Sequence, residues 1–333
     1  MSDAHAAADA KPLKTWSHLQ KARKRPNEYS IVSTNLHFST DVPECPWELD
    51  PALPVNAWFR EHREGSPLGH PDWDAFRDPD ELVYRTYNIQ QDGQEHYVDG
   101  LLEDFAEREH DAGLEREWLA TLALLYTPSR YLLHGLQMGS AYLVQMAPAS
   151  TISNCAIFQA GDCLRWLSHT AYRTRELANA WSDQGFAERE RQHWETAPAW
   201  QGFRELIERA LVAYDWGEAF VALNLVARPA ADEVLFRELG RAARDYRDDL
   251  LSLMCESALR DSERQRRWSG ALVEFALGEE GNRQVLEDWL TRWVPLGDRA
   301  IDAWCAALPG ADDPAAQARA AAATFRTGLG LSR

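Results

Sequence analysis

The sequence predicts an all-α protein built as one large helical bundle. From Asp78 to about Leu308 the chain is rich in Leu, Ala, Arg and Glu, which are good helix formers. No run of residues alternates with the period of two that a half-buried strand shows. The predicted helices reach about 25 to 30 residues, well above the mean of about 11 to 12. Helices of this length are typical of bundles and coiled coils.

Composition and charge exclude several classes of protein. The chain has 333 residues, of which 45% are hydrophobic, so it can bury a sizeable core. Its net charge of -17 argues against a nucleic-acid partner. No apolar run approaches the roughly 20 residues of a membrane span, and the N-terminus lacks the apolar core of a secretory signal. The five cysteines form no C-x-x-C pair, which suits a reducing compartment. Together these features predict a cytoplasmic protein without a membrane partner.

The N-terminal part differs from the rest of the chain. Residues 1–30 carry more basic than acidic side chains, so this arm is basic and the body that follows is acidic. Seven of the 16 prolines lie between Pro43 and Pro79, which excludes a long helix there. The same stretch is aromatic, with Trp47, Trp58, Phe59, Trp73 and Phe76. We therefore expect an extended arm and an irregular aromatic segment over residues 1–78, followed by a helical domain over residues 79–330.

The first long helix is predicted to begin at Asp78-Pro79-Asp80-Glu81. Asp78 suits the N-cap, Pro79 the first helical position, and Glu81 a capping box. Breaks between the later helices are predicted at five dipeptides: Ala112-Gly113, Thr127-Pro128, Ala147-Pro148, Ala197-Pro198 and Arg228-Pro229.

The segment after Pro198 carries an apolar stripe. Its members recur at spacings of three and four with one gap: Trp200, Phe203, Ile207, Leu211, Tyr214, Val221 and Leu225. That spacing predicts a face directed at the core. Glu218 fills the gap, so we expect its carboxylate to point inward and to pair with an arginine, because a buried carboxylate needs a partner.

Two Glu-x-x-His pairs could suggest a di-iron site. Carboxylate-bridged di-iron bundles take such a pair from each of two helices, since the spacing places both ligands on one face. Glu107…His110 and Glu190…His193 both lie among many charged residues. Two pairs is little above the number that chance produces, so we interpret both as solvated surface rather than as ligands.

Other candidate residues are interpreted as structural. The sequence contains no G-x-S-x-G, no glycine-rich phosphate loop and no H-E-x-x-H. Cys155 and Cys163 have no clustered His nearby and are expected to be small core residues. His134 and His169 lie in apolar helical stretches and are expected to be core or interface residues.

The longer motifs of the sequence indicate a known family. The sequence resembles the β subunit of the hydroxylase component of bacterial multicomponent monooxygenases, of the toluene/o-xylene and toluene-4-monooxygenase branch. The matching strings spread over most of the chain and include Thr15-Trp16-Ser17-His18-Leu19, Ile31-Val32-Ser33-Thr34-Asn35-Leu36-His37, Pro46-Trp47-Glu48-Leu49, Leu82-Val83-Tyr84-Arg85-Thr86-Tyr87-Asn88, Ala147-Pro148-Ala149-Ser150-Thr151-Ile152-Ser153-Asn154-Cys155, Leu164-Arg165-Trp166-Leu167, His169-Thr170-Ala171-Tyr172-Arg173-Thr174, Asp215-Trp216-Gly217-Glu218-Ala219-Phe220 and Arg267-Trp268-Ser269.

The resemblance implies a ferritin-like, ribonucleotide-reductase-like bundle within a cytoplasmic hydroxylase of two α, two β and two γ chains. The α chain of such a complex carries the di-iron site that activates O₂. Electrons come from NADH through a reductase with FAD and a Rieske ferredoxin with a 2Fe-2S centre, and an effector protein regulates the complex. These cofactors and partners are what the resemblance implies, and none of them is expected to be held by this chain.

The resemblance also implies that this chain has lost its metal. The α pattern Asp-Glu-x-Arg-His corresponds to 162–166, where Cys163 and Trp166 replace the two ligands. A second pattern falls at 261–265, again without the pair of Glu at the second position and His at the fifth, and a further α glutamate aligns near Gly217. We therefore expect no catalytic, cofactor-binding or metal-binding residue in this chain. The alternatives are a β subunit of an alkene, isoprene or phenol monooxygenase, a chain that itself binds di-iron, or a stand-alone helical interaction protein.

Overall fold

The computed structural model describes residues 16, 18–19, 24–36, 53–310 and 312–332. Within these ranges every regular element is a helix and none is a strand, which confirms the predicted all-α class. Most of the basic arm lies outside the described residues, as do Cys45 and Trp47. No helix in the described ranges is both long and apolar enough to cross a bilayer.

The described residues form fourteen α-helices with several π and 3₁₀ turns between them. The first seven are α1 Glu28–Ser33, α2 Pro54–Phe59, α3 Tyr84–Glu107, α4 Arg116–Thr121, α5 Ser129–Met146, α6 Ser150–Ala180 and α7 Glu190–Thr196. The remaining seven are α8 Pro198–Ala210, α9 Trp216–Phe220, α10 Arg228–Asp232, α11 Leu239–Asp245, α12 Asp249–Ala276, α13 Asn282–Cys305 and α14 Pro314–Gly328. With 31 and 28 residues, α6 and α12 confirm the predicted long helices.

Helices α9, α10 and α11 join end to end into one run over residues 216–245, here called the central helix. Two π-helical stretches connect them, Val221–Ala227 and Glu233–Glu238. Every residue from 219 to 236 is buried, as expected of a helix surrounded by its neighbours on all sides. The other long helices pack around this buried run, and α5 lies antiparallel to α6 across the short turn 147–149.

The predicted break at Arg228-Pro229 is wrong. The backbone N–H of Arg228 donates to the carbonyl of Leu223, five residues back, so the preceding π turn has already rearranged the hydrogen bonds of the helix. Pro229 therefore falls in the first turn of α10, where a missing N–H is tolerated. The chain continues as helix through the proline.

Two other sequence expectations about helix ends need correction. Asp78 accepts hydrogen bonds from the N–H groups of Asp80 and Leu82, but it caps a turn rather than a helix. Glu81 has a φ of 43°, which breaks any helix there, and α3 begins only at Tyr84. The stripe from Trp200 to Leu225 is also interrupted, because α8 ends at Ala210 and the chain turns before α9 begins.

The described part of the aromatic segment packs against the bundle. Phe59, Leu68 and Phe76 are buried in the main hydrophobic core. The ring of Trp73 meets that of Trp216 edge to face, with 5.0 Å between centroids. Most tryptophans within the described ranges are core residues, so the exposed apolar surface consists mainly of other residue types.

Candidate functional site: the facing motifs of α6 and α12

The two sequence motifs lie side by side at the centre of the bundle. Residues 162–166 are in the middle of α6, and residues 261–265 are in the middle of α12. In each motif the first, fourth and fifth residues share one helix face, because i, i+3 and i+4 positions are neighbours on a helix. We call these residues the motif cluster: Asp162, Arg165, Trp166, Asp261, Arg264 and Gln265.

Each aspartate of the motif cluster is held by the opposite helix. Asp162 accepts from Arg264 and, at 2.7 Å, from Nε2 of Gln265. Asp261 accepts from Nη1 of Arg165 at 3.1 Å and from Nε1 of Trp166 at 3.0 Å. In each direction, the aspartate of one motif accepts hydrogen bonds from the arginine and from the fifth residue of the other motif. This reciprocity joins α6 to α12 through charged groups in the interior.

Helix α3 completes the motif cluster from one side. Tyr87 donates to Asp162 at 3.0 Å, and Nε2 of Gln91 lies 3.2 Å from Asp162 and 3.0 Å from Asp261. These donors matter because both aspartates are fully buried, and a buried carboxylate needs every oxygen hydrogen-bonded. The cluster therefore ties three helices together.

The pKa values in the motif cluster reflect burial and neighbouring charge. Burial and the nearby carboxylate of Asp261 raise the pKa of Asp162 to about 6, against the opposing effect of Arg264. Next to the cluster, burial opposes ionisation of Glu95, but His169 and Arg165 outweigh it and hold the pKa of Glu95 below its ordinary value. Nε2 of His169 lies 2.9 Å from Glu95, and His169 is a buried core histidine, as predicted.

An arginine stands beside the position where the resemblance places a ligand. Nη1 of Arg228 donates to Sγ of Cys163 at 3.0 Å, and its Nε lies 2.9 Å from Asp232. All three residues are buried. Burial raises the pKa of the Cys163 thiol to about 11, so the sulfur is protonated near neutral pH. Sequence reasoning missed Arg228 and Asp232, although an Arg and an Asp four residues apart in an otherwise apolar run are a readable signal.

These residues do not fit a di-iron centre. Such a centre requires carboxylates and imidazoles, whereas Cys163, Trp166, Ser262 and Gln265 present a thiol, an indole, a hydroxyl and an amide. The guanidinium of Arg228 has no acceptor atom and keeps its charge, so it disfavours a metal cation beside Cys163. Across the ranges that the structure describes, no three His, Cys, Asp or Glu side chains form a group that could hold a metal.

Gly217 does not reach the motif cluster, which corrects the expected alignment. A Cβ on Gly217 would meet Leu68 and Trp289. Glu218 is partly buried and bonds to Arg292 and to Nε1 of Trp293, so its expected pairing with an arginine is confirmed.

The two Glu-x-x-His pairs do not form paired ligand sites. Glu107 is exposed at the end of α3, while Nε2 of His110 lies 3.3 Å from Asp248. The expectation that Glu190 is solvated is wrong. Its carboxylate is buried, where it accepts from the N–H of Ala187 at 2.6 Å and lies 3.6 Å from Arg130. Because Glu190 folds back onto its own helix start, it is not available as a ligand.

A second buried network surrounds Asp248, the N-cap of α12. Asp248 accepts from Nη2 of Arg173 at 2.7 Å, from Nε1 of Trp118 at 2.9 Å and from the N–H of Leu251 at 3.0 Å. Burial opposes the charge, yet Arg173, His110 and these donors hold the pKa of Asp248 well below its ordinary value. We call these groups the Asp248 network. Sequence reasoning missed it, although an aspartate directly before a long helix is a recognisable cap.

The remaining candidates divide between core and surface. Cys155 and Cys163 are buried, as predicted. His134 is exposed on the outer side of α5, so it is not a core residue. None of the candidate residues Cys155, Cys163, His134 and His169 adds a chemical group to the motif cluster.

The fold and the motif cluster define a class: an all-α helical bundle whose long helices are joined by buried charged and polar side chains. Comparison with known proteins gives the family. Residues 58–280 match the model of the Methane/Phenol/Alkene Hydroxylase family, and the chain belongs to that family. This finding confirms the resemblance drawn from the sequence strings.

Individual relatives agree with this assignment. The chain is 55% identical to the hydroxylase component subunit beta of the toluene-4-monooxygenase system of Ectopseudomonas mendocina, over 90% of this chain and 91% of that protein. It is 26% identical to a phenol 2-monooxygenase oxygenase component of Acinetobacter pittii, over 85% and 83% of the two chains.

Solved structures show the same architecture. A toluene 4-monooxygenase structure with toluene bound in its resting active site aligns with a TM-score of 0.85 and 53% identity, covering 91% of this chain and all of the other. Phenol hydroxylase from Pseudomonas sp. OX1 aligns with a TM-score of 0.81 and 98% coverage of both chains. Its 21% identity supports the fold alone.

Proposed function

We propose that this chain is the non-catalytic β subunit of the hydroxylase component of a toluene-type aromatic monooxygenase. The observation that carries the proposal is the residue set at the two motifs. A thiol, an indole, a hydroxyl and an amide occupy the positions where the resemblance places iron ligands, and the Arg228 guanidinium contacts the thiol. The chain keeps the bundle without the groups that hold iron, which is what a scaffolding subunit requires.

The role of the chain is to hold the α subunit, which carries the di-iron site and hydroxylates the substrate with O₂. The motif cluster supports this role by making the bundle rigid, since buried charges that are hydrogen-bonded across helices link α3, α6 and α12. We assign no catalytic, cofactor-binding or metal-binding residue to this chain. Residues 1–78 form the arm and aromatic segment of this subunit, and residues 79–330 form its bundle.

The proposal includes the rest of the system. The hydroxylase is an (αβγ)₂ assembly in the cytoplasm, with an effector protein as its regulator. NADH supplies electrons through a reductase with FAD and a Rieske ferredoxin with a 2Fe-2S centre. The toluene branch is preferred to the phenol branch because identity to the toluene-4-monooxygenase subunit is 55%, against 26% for the phenol 2-monooxygenase component.

Iron analysis of the assembled hydroxylase tests the proposal. The chain is co-expressed with the α and γ chains of the proposed hydroxylase, and iron and NADH-dependent toluene hydroxylation are measured with the other components present. We expect about two irons per αβγ unit. Cys163→Ser with Ser262→Ala in this chain is expected to leave the iron content and the rate unchanged.

The matched control changes the ligands of the α chain. Replacement of the Glu in either Asp-Glu-x-Arg-His motif of α by Ala is expected to remove most of the iron. If the Cys163→Ser/Ser262→Ala hydroxylase still assembles but loses its iron, the non-catalytic assignment is overturned. A complex that hydroxylates phenol or an alkene but not toluene would overturn the choice of branch.

A further inference from the structure

We propose that the outward side of α5 and α6 is the surface on which the α subunit of the hydroxylase docks, an inference that rests on the proposed function. Between residues 131 and 174 the exposed residues include no Asp, Glu, Lys or Arg. We call them the uncharged face: His134, Met138, Ala141, Gln145, Ile157, Leu164, Ser168 and Tyr172. Charged residues make up 26% of the whole chain, so a charge-free surface of this extent is unusual for it.

Four large hydrophobic side chains of the uncharged face are exposed. Met138 is 44% exposed, Ile157 49%, Leu164 46% and Tyr172 54%. On α6 the exposed positions and Gly161 recur at spacings of three and four, so they form one stripe about 22 Å long at 1.5 Å per residue. Single exposed apolar residues are ordinary, but a contiguous apolar patch marks an interaction site.

The register between the helices places the two rows side by side. Nε2 of Gln159 donates to Oγ of Ser140 at 2.9 Å, and Oγ of Ser153 donates to the carbonyl of Val144 at 2.8 Å. This antiparallel register brings the exposed row of α5 next to that of α6. Along the other edge, the ring of Tyr87 stacks on Phe158 with 4.5 Å between centroids, so the start of α3 borders the face.

The side of the molecule formed by α8 and α13 shows what a solvated surface of this protein looks like. Its exposed residues are mostly charged and include Glu208, Arg209, Asp288, Arg292, Arg299 and Asp302. Both sides are built from long helices packed on the same core. The absence of exposed charged residues is therefore specific to the side formed by α5 and α6. Depletion of charged residues is typical of the centre of a protein–protein interface.

Charge selects a non-identical partner for this face. The exposed rim along α3 is acidic, with Asp92, Asp99 and Glu103 beside the uncharged face, and each copy of the chain carries a net charge of -17. A second copy would bring like charges together, which disfavours its association. A different chain can present a neutral or basic rim around an apolar centre, and within the proposed hydroxylase that chain is the α subunit.

The experiment places one arginine in the centre of the face. Leu164→Arg is introduced into this chain, the hydroxylase is co-expressed with α and γ, and the assembly is weighed by native mass spectrometry and light scattering. We expect at least about a 10-fold loss of α association, because a buried unpaired charge opposes docking. The matched control is Val212→Arg, which changes an equally exposed apolar residue next to α8 and is expected to assemble as the wild type does.

A second measurement avoids any effect on folding. Ser168→Cys is labelled with a benzophenone maleimide within the assembled hydroxylase, and illumination is expected to cross-link it to α. Val212→Cys and the labelled wild-type chain provide the background. Normal assembly of Leu164→Arg together with no cross-link from residue 168 to α would overturn the surface assignment, and a cross-link between two copies of this chain would overturn it in favour of self-association. If the wild-type chain does not associate with α at all, the proposed function itself fails.

Discussion

The motif cluster and the Asp248 network both bury aspartates against arginines along α6, yet they place their carboxylates in opposite electrostatic settings. Asp162 faces a second buried carboxylate, Asp261, and its pKa is raised to about 6. Asp248 meets Arg173, a tryptophan N–H and the start of a helix, and its pKa is lowered. Burial raises the pKa of both aspartates, so burial alone does not decide the final pKa. At Asp162 the carboxylate of Asp261 adds to the rise, whereas at Asp248 the Arg173 charge and the donated hydrogen bonds reverse it.

The two networks also differ in what they join. Asp248 caps α12 and joins it to α4 and to α6 by one side-chain hydrogen bond each. The motif cluster spreads its hydrogen bonds over three helices, so no one contact carries the whole connection. Four experiments test the difference between the two networks.

Asp248→Ala is expected to have the largest effect. It leaves Arg173 fully buried without its main partner and removes the N-cap of α12, so we expect a loss of about 3–5 kcal/mol of unfolding free energy. Urea unfolding followed by circular dichroism measures it. Asp245→Ala, an exposed aspartate three residues earlier, is the control and should change little. Equal effects of the two substitutions would contradict the importance of the network.

Arg264→Met is expected to cost less, about 2–3 kcal/mol at neutral pH, the range of hydrogen bonds to charged groups. Asp162 loses its short contact with Arg264, but it can take up a proton and remain hydrogen-bonded to Gln265 and Tyr87. The same unfolding measurement applies. Arg267→Met, which breaks an exposed pair with Asp80, is the control. If the loss of unfolding free energy is as large as that of Asp248→Ala, Asp162 does not take up a proton when Arg264 is removed.

Stability is expected to depend on pH in opposite directions for the two aspartates. A folded-state pKa of about 6 for Asp162, against about 3.9 in the unfolded chain, means that the native state holds its proton to higher pH. Its charge therefore penalises folding as pH rises from about 4 to 7, and the penalty is absent below about pH 4. Asp248 has a lowered pKa, so its contribution is present above its unfolded pKa and is lost only as pH falls further.

The pH prediction is measured with Asp162→Asn and Asp248→Asn between pH 4.5 and 8. The cost of Asp162→Asn should shrink by about 2 kcal/mol across this range, because the wild type alone acquires the penalty. The cost of Asp248→Asn should stay nearly constant there. A cost of Asp162→Asn that grows with pH would reverse the assignment.

Trp166→Phe is expected to have the smallest effect. It removes the indole N–H that donates to Asp261 but keeps an aromatic ring in the core, so we expect a loss of about 1 kcal/mol. Thermal unfolding by calorimetry measures it. Trp58→Phe, which removes a hydrogen bond to Tyr142 at the surface, is the control. If Trp166→Phe were silent, the reciprocity of the motif cluster would not depend on the indole.

Much of the fold could be predicted from local patterns. The all-α class, the long helices and the turn at Ala147-Pro148 follow from helix propensity and spacing, which act within a few residues. The same patterns failed at Asp78-Pro79 and Arg228-Pro229. At the first site a positive φ at Glu81 interrupts the helix, and at the second a π turn lets the helix pass through the proline. Both outcomes depend on backbone geometry that residue types alone do not specify.

Residue types and short spacings alone specify the helical class and the family. They also show that neither motif has Glu at its second position or His at its fifth. Only the tertiary structure decided which charges meet. Asp162 pairs with Gln265 and Asp261 with Trp166, contacts that join residues about 100 positions apart. Arg228, predicted as a break, lies against Cys163 in the core. These pairings depend on the register between packed helices, and no local pattern encodes that register.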